Sequence, residues 1–216
     1  MTTLGLIDYG MGNLHSVQRA FERLGASLIA VGAETAGTQS ALAPCDALIL
    51  PGVGAFDPAM ERLRSTGLDR LIQTWCGEGR PLLGICLGLQ LLFESSDEGH
   101  APGLGLLAGR VRSLPRRAGH PIPHMGWEPL ILAEPSPLLP AATPPPWVYF
   151  VHSFAADPVD PVVTTARVDF AGEPVTAAVW KGAVGACQFH PEKSGPHGEA
   201  ILQRWLDWLE ARQPQP

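Results

Sequence analysis

The sequence predicts an α/β protein: a mainly parallel, doubly wound sheet with helices on both faces and an additional antiparallel strand region. Three observations predict it. Strand and helix patterns alternate through the first half of the chain. Glycine-containing turns stand directly after apolar strand runs, at Gly10-Met-Gly12, at Gly52-Val-Gly54 and around Cys86. The later part of the chain reads as successive strands closed by one amphipathic helix.

The elements follow in order. Leu4–Asp8 is a short apolar strand ending in the turn Tyr9-Gly-Met-Gly12. A helix comes next, with Leu14, Val17, Phe21 and Leu24 along one face and Gly25 ending it. Ser27–Val31 and Ala47–Leu50 are further buried strands, and Pro81–Ile85 is another, running into a helix over Leu87–Glu94. From about Leu114 to Pro146 proline is dense, which excludes helices and leaves short strands or loops. Met125, Trp127, Leu130 and Ile131 lie in that stretch and need a core, so it belongs to the domain rather than linking two. Val148–Phe154, Pro161–Val168, Val175–Trp180 and Ala183–Phe189 read as strands. The last helix, Gly198–Arg212, carries Ile201, Leu202, Trp205, Trp208 and Leu209 as a stripe that docks on the sheet. The chain is read as one domain over residues 1–212 with a tail, 213–216; the proline-rich stretch 134–146 is given no role.

Composition narrows the function. Of 216 residues, 45% are hydrophobic and 17% charged, which suits a globular domain. The net charge is −6 and the basic residues are scattered, with Lys only at 181 and 193, so a nucleic-acid face is excluded. The densest basic spot, Arg116–Arg117, reads as a solvated loop. Met1–Gly10 lacks the basic start and long apolar core of a secretory signal, and no stretch is apolar for long enough to span a bilayer. The four cysteines (45, 76, 86 and 187) show no CxxC and no metal-ligand spacing with histidine. The expectation is a cytoplasmic protein with reduced thiols.

The most informative segment is Pro81-Leu-Leu-Gly-Ile-Cys86-Leu-Gly88-Leu-Gln90. An apolar strand runs into Cys86 and a helical pattern begins at once, which places the thiol on a tight strand-to-helix turn. Gly84 and Gly88 allow the sharp bend and the close approach of helix to sheet. The first-turn amides favour negative charge on sulfur, and the N–H of Leu87 points to where an oxyanion would form. Cys45, Cys76 and Cys187 read as core cysteines. A thiolate nucleophile needs an oriented base. Gln188-Phe-His190-Pro-Glu192 follows an apolar strand, and in extended chain His190 and Glu192 project to the same side. Glu192 can then bond one imidazole nitrogen and aim the other at Cys86. His15, His100, His120 and His197 read as surface or loop residues. Gly52-Val53-Gly54 exposes amides at a strand's carboxyl end and supplies the second half of an oxyanion hole.

Together these segments resemble the class I (triad) glutamine amidotransferases, through Gly84-x-Cys-x-Gly-x-Gln90 and His190-Pro-Glu192. The resemblance is closest to one branch, the glutaminase subunits of imidazole glycerol phosphate synthases. It is carried by Asp8-Tyr-Gly-Met-Gly-Asn13-Leu, Leu50-Pro-Gly-Val-Gly-Ala-Phe56, Pro123-His-Met-Gly-Trp127, Tyr149-Phe-Val-His-Ser153 and His190-Pro-Glu-Lys-Ser194. The resemblance implies a flavodoxin-like fold and hydrolysis of L-glutamine to glutamate and ammonia, with no metal or organic cofactor. It implies Cys86 as nucleophile, His190 as base then acid, and Glu192 as its orienter. Gly52, Val53 and Leu87 match the oxyanion region. Gln90, Glu98 and Ser153 match positions that hold the glutamine α-groups, and Phe154 stands in the same pocket where a Tyr is usual. Asn13, Trp127, Tyr149 and Lys193 match positions facing a synthase (cyclase) subunit. That partner would use the ammonia to form imidazole glycerol phosphate, with an aminoimidazole carboxamide ribotide as by-product. Glu128 replaces the usual Asn after Gly126-Trp127.

Other readings are weighed by their residues. The Asp8–Asn13 and Pro123–Trp127 segments argue against a glutaminase serving pyridoxal phosphate, purine or anthranilate synthesis. A cysteine peptidase or chaperone-like protein on this fold needs no His-Pro-Glu followed by Lys-Ser. A nucleotide loop at Gly10-Met-Gly12 lacks the third glycine of the dinucleotide fingerprint.

Overall fold

Apolar residues of the central strands alternate between two cores, and this alternation makes a sheet covered by helices on both faces. The computed structural model describes residues 2–35, 42–139 and 144–212. The tail 213–216 and part of the proline-rich stretch, residues 140–143, lie outside the described residues. The first half comprises β1 (Thr3–Ile7), α1 (Leu14–Arg23), β2 (Ser27–Val31), β3 (Ala47–Gly52), α2 (Phe56–Thr66), α3 (Leu68–Gly77), β4 (Leu82–Cys86) and α4 (Leu87–Leu91). There follow β5 (Ser95–Ser96), β6 (Gly109–Ser113), β7 (His124–Pro129), β8 (Ile131–Leu132), β9 (Trp147–His152) and β10 (Phe154–Pro158). The chain ends with β11 (Thr164–Phe170), β12 (Glu173–Lys181), β13 (Val184–Cys187) and α5 (Gly195–Arg212).

Among the described residues, the main sheet has eight strands in the order β2-β1-β3-β4-β13-β12-β11-β8. The run β2-β1-β3-β4-β13 is parallel, and β12, β11 and β8 add antiparallel strands at one side. Leu4 and Leu6, Ala47 and Ile49, and Leu83 and Ile85 face one core, which α1 and α5 cover. Ile7, Leu48, Leu50 and Leu82 face the other core, beneath α2, α3 and α4. With both faces buried, these strands read as continuous apolar runs. Strand β2, read from the sequence as another buried strand, is the outermost one, and only its Val31 is buried while Ile29 is exposed. A small sheet, β10-β6-β5, and a ribbon, β7-β9, stand beside the main one. No helix of the described residues is long and apolar enough to cross a membrane.

The predicted α/β fold, a mainly parallel doubly wound sheet of flavodoxin-like strand order with added antiparallel strands, is the fold found. Several boundaries differ for physical reasons. The sequence predicts no element over 55–80, yet Phe56, Ala59, Met60 and Leu63 are the buried stripe of α2. Gly67, at φ 75°, ends α2 and starts α3. The helix after Cys86 stops at Leu91 rather than Glu94, because the chain at 104–107 folds back: Leu104 N–H bonds the Leu91 carbonyl, and Leu106 and Leu107 bond that of Leu92. Strand β6 is likewise not among the elements the sequence predicts. Val148–Phe154 is not one strand: β9 pairs with β7 and β10 with β6, so the chain changes sheets at Ser153. Pro161–Val163 opens as a 3₁₀ turn capped by Asp160 rather than as strand, Pro161 supplying the fixed φ of its first position. On α5, Leu206 is buried while Trp208 is only partly so, packing edge-on against Trp180 at 4.8 Å between ring centroids. Cys45 and Cys187 are buried, as expected, but Cys76 is only partly so.

Candidate active site

Cys86 ends β4 and caps α4, and its backbone is turned to φ 56° and ψ −110°. A non-glycine residue in that region is strained by about 1–3 kcal/mol, and the surroundings must enforce it. Here they do so by contact. A Cβ on Gly88 would run into the carbonyl oxygen of Leu50, and one on Gly84 would lie 2.9 Å from the Gly88 carbonyl oxygen. The two glycines thus let α4 rest directly on β3 and β4, which forces the sharp turn at Cys86. In the parallel ladder Gly52 is the register partner of Cys86. The predicted oxyanion segments, Gly52-Val53 and Leu87, therefore meet beside the sulfur.

His190 follows β13, the other parallel neighbour of β4. Its Nδ1 lies 2.8 Å from Glu192 Oε1, and both side chains are buried. Glu192 does not reach this position through extended chain, as the sequence suggested. Pro191–Lys193 form a 3₁₀ turn with Pro191 at its start, which folds the carboxylate back under the ring. Proline forces this, because its fixed φ suits the first position of a helical turn. The other ring nitrogen, Nε2, is buried without a hydrogen-bond partner. Burial disfavours charge on the ring, but the Cys86 sulfur and then Glu192 outweigh it and raise its pKa to about 9. The sulfur thus acts on the ring at close range although no well-formed hydrogen bond joins them, a looseness common before substrate binds.

A cavity of about 260 Å³ opens over these groups, lined by Val53, Cys86, Leu87, Gln90, Glu98, Ser153, Phe154 and His190 among others. Every predicted substrate position is therefore on its wall. Both amide hydrogens of Gln90 are committed, to the Phe154 carbonyl at 3.1 Å and to Gln188 Oε1 at 3.0 Å. Glu98 accepts from the Phe56 N–H at 2.8 Å at the start of α2, which fixes its carboxylate at the cavity. Phe154 contributes no hydroxyl to this wall. A second, very small cavity of about 10 Å³ lies behind Val53, bounded by Asn13, Gly52, His190 and Glu192.

The four predicted partner-facing residues are at the surface. Asn13 is exposed and caps α1, accepting from Ser16 N–H. Trp127 is 48% exposed and stands opposite Tyr149 in the β7–β9 register, their rings edge to face at 6.1 Å. Lys193 is exposed on the turn that carries Glu192. Met125, 60% exposed, continues the apolar face of the ribbon. Of the four apolar residues the sequence assigned to a core in this stretch only Leu130 is buried, while Met125, Trp127 and Ile131 face outward from strands that cover no core on that side.

Sequence reasoning missed four residues that support the site. Tyr9 donates its hydroxyl to the Pro51 carbonyl at 3.0 Å, beneath the oxyanion segment. His152 lines the cavity and donates from Nδ1 to the Phe154 carbonyl at 2.9 Å, so its Nε2 accepts from His124 Nδ1 at 3.1 Å. Burial pushes the His152 pKa down to about 4 and lowers that of His124, which keeps the pair neutral. Gln188 is the fourth. Its signal in the sequence is its place directly after the strand and two residues before His190.

The chain is similar to known proteins over nearly its whole length. A profile described as glutamine amidotransferase class-I matches residues 5–208. Imidazole glycerol phosphate synthase subunit HisH 2 of Parasynechococcus marenigrum (strain WH8102) is 58% identical over 98% of this chain and 97% of its own. The subunit HisH of Synechococcus sp. (strain CC9605) is 60% identical over 95% and 94%. Among solved structures, PurLQS from Thermotoga maritima aligns with a TM-score of 0.74 at 22% identity, over 96% of this chain and 99% of its own, which speaks for the fold alone. With a family profile spanning nearly its whole length, the chain belongs to the class-I glutamine amidotransferases.

Proposed function

We propose that this chain is the glutaminase subunit of an imidazole glycerol phosphate synthase, with Cys86, His190 and Glu192 as its catalytic triad. One observation carries the reading: a thiol on a strained strand-to-helix turn shares a cavity with a buried imidazole that a carboxylate holds from behind. Relatives bearing that subunit name, at 58 and 60% identity over nearly the whole chain, support the biosynthetic setting.

The chemistry follows from the groups. The Cys86 thiolate attacks the side-chain amide carbon of glutamine, and the Leu87 and Val53 amides receive the oxyanion. His190 gives its proton to the departing nitrogen, and ammonia leaves a glutamyl thioester on sulfur. Water, deprotonated by the now neutral His190, attacks the same carbon. Sulfur leaves as thiolate, His190 regains its proton, and glutamate is released. Gln90, Glu98 and Ser153 hold the amino-acid end of the substrate. Ammonia passes to a synthase subunit docked over the ribbon face of Trp127 and Tyr149, near Asn13 and Lys193. The four free cysteines suit work in a reducing cytoplasm.

Val53 is 41% exposed between Gly52 and Gly54, the latter at φ 103°, so its peptide can be turned by a docked partner. The isolated chain is then nearly idle. The test is glutamate release by the chain alone, with the synthase subunit, and with that subunit and its ligand. Stimulation below about tenfold rules out the switching of an oxyanion donor, which alone is worth about a hundredfold or more. No glutamate release under any of the three conditions overturns the function.

A further inference from the structure

The Gln188 side chain is fully buried and touches the sulfur of Cys86: its Nε2 lies 3.7 Å from Sγ. Its other end accepts from Gln90 Nε2 at 3.0 Å. Neither group can turn over. The remaining Gln90 hydrogen goes to the Phe154 carbonyl, which His152 also bonds. A carbonyl only accepts, so the Gln90 nitrogen faces both oxygens and the Gln188 oxygen must face Gln90. That leaves the Gln188 NH₂ aimed at sulfur. With no solvent exposure, water does not compete for this donor.

We infer that Gln188 is a further residue of the catalytic machinery, whose locked amide holds the Cys86 sulfur as thiolate in its attacking position. An amide N–H is a neutral donor that cannot transfer its proton at working pH, so it favours the charged sulfur without quenching it. The arrangement divides the labour. His190 exchanges the proton, while Gln188 stabilises the anion from another direction. Through Gln90, the same amide links the sulfur's position to the wall of the substrate cavity. The inference rests on the reading of Cys86 as nucleophile.

Two variants and one measurement on the unaltered chain test it. Gln188→Met removes donor and acceptor at similar size; Gln188→Glu keeps an acceptor for Gln90 but puts a carboxyl group at the sulfur. Alkylation of Cys86 by iodoacetamide at pH 7, followed by peptide mapping on the chain alone, is expected to slow by about tenfold or more in each. Its dependence on pH should move to higher pH. In the complex with the synthase subunit, kcat for glutamine should fall by a similar factor while KM changes less than about twofold. A merely structural role would lower Tm and leave the pH dependence in place. Alkylation within about twofold of the original chain, in a variant that folds, overturns the proposal. Where neither variant folds, the Gln188 side-chain amide resonances of the ¹⁵N-labelled unaltered chain decide: they must shift when Cys86 is alkylated, and unmoved resonances overturn it. Failure of the nucleophile reading looks different, because Cys86→Ala would then keep its turnover whatever residue stood at 188.

Discussion

Tyr9 stands where a side chain on Gly52 would have to go. Its hydroxyl donates to the Pro51 carbonyl at 3.0 Å, and a Cβ on residue 52 would run into that hydroxyl and come within 3.0 Å of Leu87 Cβ. Burial, and then the charge on Cys86, push the phenol above its ordinary pKa, so it remains a donor. The glycine that faces Cys86 in the ladder is thus enclosed by the group that anchors its own segment. Gly52→Val should therefore displace Tyr9 and misplace the Val53 amide. The expected loss in kcat is about a hundredfold or more, the worth of one oxyanion donor. Affinity for the synthase subunit, measured by titration calorimetry, should be largely kept. Tyr9→Phe leaves the Pro51 carbonyl unpaired and should cost about 1–3 kcal/mol of stability by denaturant unfolding.

Cys86→Ala should abolish glutamine-dependent product formation while the complex still accepts free ammonium, because in the proposed function ring closure takes place in the other subunit. His190→Ala should behave alike, since the nucleophile and its base act as a unit. Assays with glutamine and with ammonium chloride separate the two activities. Glutaminase activity above about a hundredth of the original in Cys86→Ala would remove the nucleophile from the proposal.

The four thiols should differ sharply in reactivity. Burial raises the pKa of Cys45 and of the fully enclosed Cys187, and pushes that of the partly buried Cys76 up to about 12. Few of these sulfurs are thiolate at neutral pH, and thiolate is the reactive form. Cys86 instead lies on the cavity wall at the start of a helix. Brief alkylation at pH 7 followed by peptide mapping should find the label on Cys86. Preferential label on any of the other three would contradict the assignment.

The proton on His190 sets the alkaline limit. With its pKa near 9, the imidazolium that protonates the leaving nitrogen is present up to about that pH, and kcat/KM should fall as pH rises through it. Glu192→Gln removes one of the charges that raise this value, so its alkaline limb should move to lower pH. The same group affects folding. An unfolded histidine titrates near 6.5, so the stability from holding this proton is complete below about 6.5 and is lost as pH rises through about 9. Unfolding free energies across pH 6–10 would check the sign.

The sequence determined the architecture and singled out the three residues proposed as the triad. Apolar runs with glycine turns at their ends suffice to predict parallel strands buried on both faces, and Gly84-Ile-Cys86-Leu-Gly88 specifies its turn through the backbone itself. These are local instructions, legible because backbone sterics act over a few residues. What only the tertiary structure decided lies mostly between segments far apart in the chain. That Gly52 faces Cys86 depends on the register of β3 with β4. That Glu192 reaches Nδ1 depends on a 3₁₀ turn rather than a strand. That Tyr9, His152 and Gln188 support the site depends on buried hydrogen bonds to partners 42, 28 and 102 residues away. A side-chain donor finds its acceptor only once packing has removed water as the alternative, and no period in the sequence records which acceptor that will be.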